Sequence, residues 1–412
     1  MDCTAVEAVW QRMERRRRAD IGVHVQVPTP ARGYVNLSDA AITFAGLAFG
    51  PWICAIAGGL GTAIADMLGG FAPYAAQAPH GAGSAQNLTA GAGQGDGLEP
   101  GIAVHKAVDQ MNEAGSVKVS VCIVGINSAQ YLRDCICSIQ DGGLDLPYEI
   151  IYVDNGSTDA TRSMLEAEFP EVATLWNSSN QGYARANNQA IQLAQGELIL
   201  LLNPDTLIPA GSLTALVGYL QEHPQTGIAG PKVLNADGSF QAHCKRGEAR
   251  PWEVFCYFTG LARLFPHSQR FTGYLQSFLD ENETHHVPAI SGSCMLIRRA
   301  VLEQIGLLDE RFFAYQEDTD LCVRARKAGW KVTYVPSARI THFGGKGGSG
   351  HQPFRTIFVW HQSYYRYYRK HLAQDYFFLF NWFYYLLMGL KFGLSVLVNL
   401  FRAEKRPGPK RE

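Results

Sequence analysis

The sequence predicts an α/β domain around an open sheet of buried parallel strands, and three features lead there. From Val117 onward, apolar runs of strand length alternate with amphipathic stretches of helical period. Two of those runs end in a carboxylate: Asp154 follows residues 148–153, and Asp205 follows residues 198–204. Acidic residues at the C-terminal ends of buried parallel strands mark the ligand crevice of such a sheet. Third, Glu317, Asp318 and Asp320 crowd the start of an amphipathic helix pattern. Their repulsion persists most easily where a metal ion, a helix N-terminus or a hydroxyl proton to be removed makes use of them.

Taken in order, strands are expected at 119–124, 149–153, 172–176 and 197–202, with helices between them at 130–139, 160–169 and 184–194. Asn155-Gly156-Ser157 turns the chain tightly after the second strand, and Ser157 or Thr158 is expected to cap the next helix. Asp320 lies one turn before Arg324, the spacing of a helical ion pair. A strand-like run at 338–341 ends in His342 and opens the glycine-rich stretch 343–349, which lacks the Gly-Lys-Ser/Thr ending of a Walker loop.

The chain divides into four zones. Residues 1–74 open with Arg15 to Arg18 and become apolar; 41–65 carry no charge and meet the ~20-residue length of a bilayer span. Residues 75–116, rich in Ala, Gly, Gln and Ser, read as a flexible linker. The α/β domain occupies 117–371. Residues 372–412 form an apolar, aromatic helix and a basic tail, spanning a membrane or lying on it. With 412 residues, 18% charged residues and a net charge of −1, the chain has no basic stripe interleaved with aromatics, which argues against nucleic-acid binding. Nine scattered cysteines without a Cys-x-x-Cys pair suit a reducing compartment.

Several ordered motifs carry a resemblance. Residues 119–124, Val153-Asp154-Asn155-Gly156-Ser157, Asn180-Gln181-Gly182-Tyr183, Asn203-Pro204-Asp205, Ser291-Gly292-Ser293-Cys294-Met295, Glu317-Asp318 and His342 occur in the order found in family 2 glycosyltransferases of GT-A fold. The chain most resembles rhamnosyltransferase-like members acting on bacterial cell-surface glycans. The resemblance implies a GT-A (Rossmann-like) domain, a nucleotide-sugar donor, a glycan or lipid-linked acceptor and a divalent metal, Mg2+ or Mn2+. It also implies that Asp318 is the general base with Glu317 orienting the site, that Asp205 binds metal, that the Asn180–Gly182 loop contacts the donor, and that Gly292 and Met295 lie on the acceptor side. The chain departs from the pattern at Asn203, where an acidic residue is usual, and at Gly125-Ile126-Asn127, which lacks the usual aromatic before Asn127.

The same residues can be read chemically. A nucleotide sugar needs a base pocket, a charge clamp and a proton acceptor. Asp154 can accept a hydrogen bond from a uracil or thymine imide, although the reading as a plain turn stays open. The N-terminal amides of the helix after Gly182, with Arg185, suit phosphate oxygens. Asp205 suits a hard cation on the diphosphate, with Asn203 assisting through its side-chain oxygen. His342 can ligate metal as a neutral imidazole, while Lys346 or Ser349 reaches the diphosphate. The expected reaction is inverting transfer from a UDP- or dTDP-sugar; the rival is a non-catalytic membrane protein with a degenerate nucleotide-sugar-binding domain.

The N-terminal zone has a second resemblance. Gly33-Tyr34-Val35-Asn36, Gly50-Pro51-Trp52 and Ala65-Asp66-Met67 look like a fragment of the substrate-binding S component of an energy-coupling-factor transporter, implying an anchor rather than transport. One crossing with Arg15 to Arg18 inside would export the catalytic domain; a hairpin of 37–49 and 53–72 keeps it at the cytosolic face of a bacterial inner membrane.

Overall fold

The computed structural model describes residues 118–142, 144, 146–344 and 353–403. The N-terminal anchor, its hairpin, the linker, Lys346, Ser349 and the basic tail lie outside them.

Strands β1 (Val119–Gly125), β2 (Tyr148–Asp154), β3 (Ala173–Trp176) and β4 (Leu198–Leu202) pair in parallel in the order β3-β2-β1-β4. Every residue of β1 and β4 is buried, so both faces of these strands are covered. That is why they read as continuous apolar runs rather than alternating ones. Helices α1 (Ala129–Asp141), α2 (Thr161–Glu168) and α3 (Tyr183–Leu193) form the crossovers. The α2 helix lacks a side-chain N-cap; Asp159 instead accepts from the Thr161 amide at 3.1 Å, while the Ser157 hydroxyl accepts from the Asn127 amide at 2.8 Å. Neither Ser157 nor Thr158 caps the helix as expected.

Beyond these four strands, which pair in parallel as expected, the sheet turns mixed. Strand β10 (Cys294–Arg298) inserts antiparallel between β4 and β6 (Thr226–Leu234), and β11 (Lys331–His342) runs parallel to β6 and antiparallel to β5 (Thr206–Leu207). Direction decides what reaches the crevice. Because β10 pairs Cys294 with Leu202, the residues entering β10 lie at the C-terminal end of β4; because β11 pairs His342 with Thr206, its last residue arrives there too.

Further elements are α4 (Ser212–Glu222), β7 (Lys245–Arg246), α5 (Pro251–Phe258), α6 (Leu261–Leu264), α7 (Gln269–Thr272), β8 (His285–His286), β9 (Ala289–Ile290), α8 (Arg299–Ile305), α9 (Glu317–Lys327), α10 (Pro353–Tyr367) and α11 (Phe378–Ala403), with short helical turns at Ala242–Cys244, Tyr368–Leu372 and Ala373–Asp375. A second core joins Phe312 and Val323 to Tyr364, Tyr367, Tyr368 and Tyr384. It binds α10 and α11 to the catalytic half of the molecule, across the sequence boundary expected at 371.

Candidate active site

The three carboxylates of α9 are all buried, and each meets that cost differently. An unpaired buried ion costs several kcal/mol, more than the ~1.5–3 kcal/mol that burying a leucine contributes, so none can persist uncompensated. Asp318 pairs with the buried Arg246 guanidinium, and the same Oδ2 accepts from the Gly292 amide at 3.0 Å. Its Oδ1 accepts from the Thr319 amide at 2.6 Å and the Thr319 hydroxyl at 3.1 Å. Asp320 accepts from Arg324 at 2.8 Å, Lys370 at 2.5 Å and His371 at 2.6 Å. Burial pushes its pKa up, but His371, Arg324 and Lys370 together hold it below the usual value. Glu317 makes no ion pair among the described residues; burial, reinforced by the neighbouring Asp318 charge and only partly offset by Arg246, raises it to about 8, so it carries a proton at neutral pH. Its Oε2 has no hydrogen-bond partner. Tyr315 and Gln316, just before the pair, both hold φ of 67°, strained for non-glycine residues and typical of functional sites.

At the strand ends, His342 Nε2 lies 3.2 Å from Asp205 Oδ1 and 3.2 Å from Asn203 Nδ2. His342 Nδ1 is 2.9 Å from Gln241 Oε1, an acceptor, so Nδ1 carries the hydrogen in the neutral ring and Nε2 presents its lone pair. An imidazole nitrogen and a carboxylate oxygen at this distance can share a cation or a proton. Among the described residues no three His, Cys, Asp or Glu side chains converge as a complete metal site. Asp205 and His342 nevertheless fit two ligands of one divalent ion, and Asn203 can turn its amide oxygen inward as a third.

The residues expected on the donor side interlock. Asp154 Oδ1 accepts from the Gly156 and Ser157 amides at 2.9 and 2.7 Å, so the carboxylate shapes its own turn. Asn127 Oδ1 accepts from the Thr158 amide at 2.7 Å, tying the end of β1 to that turn. Asn155 donates to the Gly182 carbonyl at 3.2 Å and accepts from Asn177 at 3.1 Å; both contacts are structural, and the side chain is buried. Asn180 accepts from the Gly182 amide at 2.9 Å, leaving its own buried Nδ2 without a partner. Gly182 has φ of 89°, and a Cβ there would meet Phe313 at 2.7 Å. The first amide of α3 donates to the Phe313 carbonyl at 2.6 Å rather than standing open for phosphate; Arg185, one turn in, is exposed.

Gly292 and Ser293 join the two halves. Gly292 donates to Asp318 and accepts from the Tyr183 hydroxyl at 2.8 Å, while the Ser293 carbonyl accepts from the Asn203 amide at 3.0 Å. Met295 lies instead in the packed sheet, fully buried opposite Leu201, because one further step into β10 carries the chain out of the crevice. Sequence reasoning missed Arg246, Gln241 and Tyr183 as partners of the site. Only Tyr183 had a local signal, standing next to Gly182; the other two are 72 and 101 residues from the groups they contact. A cavity of about 400 Å³ between Gly211, Leu234 and Arg339 lies outside this set.

Residues 120–306 match the family model of glycosyl transferase family 2, and residues 20–79 match that of the ECF-type riboflavin transporter S component. The chain is 32% identical over 235 residues to an N-acetylglucosaminyl-diphospho-decaprenol L-rhamnosyltransferase of Mycobacterium tuberculosis, covering 53% of this chain and 74% of the relative. It is 27% identical over 213 residues to the low-salt glycan biosynthesis hexosyltransferase Agl10 of Haloferax volcanii, covering 51% and 62%. Among solved structures, the mannosyltransferase PcManGT of Pyrobaculum calidifontis with GDP-Man and Mn2+ aligns at TM-score 0.43 and 16% identity, over 74% of this chain and 81% of that one. With 74% of the mycobacterial relative covered at 32% identity, the mixed α/β sheet is a GT-A domain and the chain belongs to glycosyl transferase family 2, a hexosyltransferase-type enzyme.

Proposed function

We propose that this enzyme transfers a hexose, rhamnose by similarity to the mycobacterial relative, from a UDP or dTDP carrier to a hydroxyl of a lipid-linked glycan, with inversion, at the cytosolic face of the membrane. The observation that carries the proposal is the bridge at Gly292–Ser293: adjacent residues bind Asp318 on one side and Asn203, beside Asp205, on the other. A proton acceptor and a charged diphosphate clamp thus share one strand entrance.

In the proposed reaction the acceptor hydroxyl gives its proton to Asp318 as its oxygen bonds to the anomeric carbon, and the bond from that carbon to the diphosphate breaks, with the electron pair leaving on the diphosphate. A carboxylate offers about four lone-pair sites, and Arg246, Gly292 and two Thr319 groups occupy four here. One partner must therefore turn away as the acceptor enters; the neutral Thr319 hydroxyl, at 3.1 Å, is the easiest to release. Asp205, His342 and Asn203 would hold the divalent ion, which supplies charge neutralisation to the departing diphosphate. Asp154, Asn127, Asn155, Asn180, Gly182 and Arg185 form the donor side: the first five shape its loops, and the Arg185 guanidinium is left exposed for a phosphate.

The test is sugar transfer to a lipid-linked acceptor with titrated Mn2+. Asp318→Asn is expected to lower kcat by roughly 10²–10⁴-fold, the usual contribution of a general base, at unchanged donor binding. Asp205→Asn and His342→Gln are expected to raise the Mn2+ concentration for half-maximal transfer at least tenfold. Full transfer by the Asp318→Asn enzyme would overturn the base assignment.

A further inference from the structure

Helix α11 is amphipathic the wrong way round for water. Its polar residues turn inward: Asn381 donates to the Ala373 carbonyl at 2.9 Å, and the Lys391 ammonium sits 3.9 Å from the Trp360 ring centroid and 4.4 Å from that of Phe258. Its outward face carries Trp382, Leu386 and Leu390, all exposed. A helix facing solvent does the reverse. The inner face packs along α10, from the Tyr384–Tyr364 hydroxyl contact at 2.7 Å to Phe392 against His361 at 5.4 Å, and Tyr364 bonds the Ala249 carbonyl of the catalytic domain. Held lengthwise against the domain, the helix offers one side only.

The same surface continues onto α5–α7. Phe258 meets Trp360 edge-on at 6.5 Å, and beyond it stand Trp252, Phe255, Leu264 and Phe265, which are 44%, 39%, 71% and 48% exposed. Within residues 251–279 the one carboxylate is Glu253, turned back to accept from the Arg250 amide at 3.2 Å, while Arg263 and Arg270 are cationic, and 378–403 contain no carboxylate. Trp252 gives its indole N–H to the Arg270 carbonyl at 2.9 Å and lies under the Arg270 guanidinium at 5.8 Å, an aromatic body with a cationic rim. Exposed apolar area and cations that outnumber the single, inward-bonded carboxylate together complement a negatively charged lipid surface.

We infer that α5–α7 is a second bilayer-contacting element, which with the outer face of α11 seats the enzyme flat on an anionic membrane. The α5 helix begins five residues after Arg246, so this contact sets the Asp318 end of the crevice close to the lipid surface. The inference rests on these helices and stands whatever the donor or acceptor.

The test uses the full chain with phosphatidylglycerol vesicles carrying brominated acyl chains. Quenching of tryptophan fluorescence is compared between wild type and Trp252→Phe, a conservative change that leaves other anchors in place. A clear drop in the quenched fraction for Trp252→Phe is expected, as is loss of that component in Leu264→Glu/Phe265→Glu. Equal quenching in wild type and Trp252→Phe would overturn the inference. So would a shift from dimer to monomer by light scattering in the Leu264→Glu/Phe265→Glu variant with its quenching unaltered, which would assign the patch to a second copy of the chain. Transfer to a soluble acceptor is expected to be unchanged in Trp252→Phe, separating this result from any failure of the proposed chemistry.

Discussion

Arg246, on a two-residue strand, forms a buried ion pair with Asp318 at the start of α9. Nearly all of both side chains is out of water, so the pair is strongly coupled. Removing one partner leaves the other as an uncompensated charge, whereas removing both is far less costly.

Arg246→Ala is therefore expected to destabilise the fold by about 3 kcal/mol and to lower kcat more than tenfold. In an Asp318→Asn background the same change is expected to cost much less. Urea denaturation and transfer assays on the double-mutant cycle measure both; additive effects would show that the two side chains act independently.

Glu317 gives a pH signature of opposite sign to an ordinary ion-paired carboxylate. Its pKa rises from 4.5 to about 8 on folding, so the folded state binds more protons than the unfolded between those values. Its contribution to stability is complete below about pH 4.5 and is lost as pH climbs through about 8. Glu317→Gln, neutral at every pH, is expected to flatten the decline of stability across that window, as measured by denaturation at stepped pH. An unaltered slope would place the proton elsewhere.

Asp320 behaves the other way. Its folded pKa lies below the usual 3.8, so its contribution is present above that value and fades as acid protonates it. Asp320→Ala is expected to cost about 3–5 kcal/mol at pH 7 by leaving Arg324, Lys370 and His371 facing one another, and less at pH 3. Thermal unfolding at the two pH values discriminates: an equal cost at both would mean packing, not charge, dominates.

Gly182→Ala combines a left-handed φ with a 2.7 Å approach to Phe313. Either alone costs ~1–3 kcal/mol, and together they should displace the loop proposed to hold the donor. The expected result is loss of nucleotide-sugar stabilisation in thermal shift at a fold that still unfolds cooperatively. Gly211→Ala, at φ of 80° with open space around it, serves as the control for strain without crowding.

How much was legible depended on the distance over which each feature is encoded. The alternation of apolar runs and amphipathic stretches placed β1, β2, β4 and α3 within about a residue of their observed ends, because periodicity is a property of neighbours. The placement of Asp205 and His342 at strand ends, and the Asp320–Arg324 pair one turn apart on a helix, were also readable. Tertiary structure alone decided that β10 runs antiparallel, which brings Gly292 into the crevice and buries Met295 in the sheet. It alone set Arg246 on Asp318 and Gln241 behind His342, and turned the polar residues of α11 toward the protein. Those outcomes depend on which distant segments exclude water together, and that free energy is not carried by any local stretch of the chain.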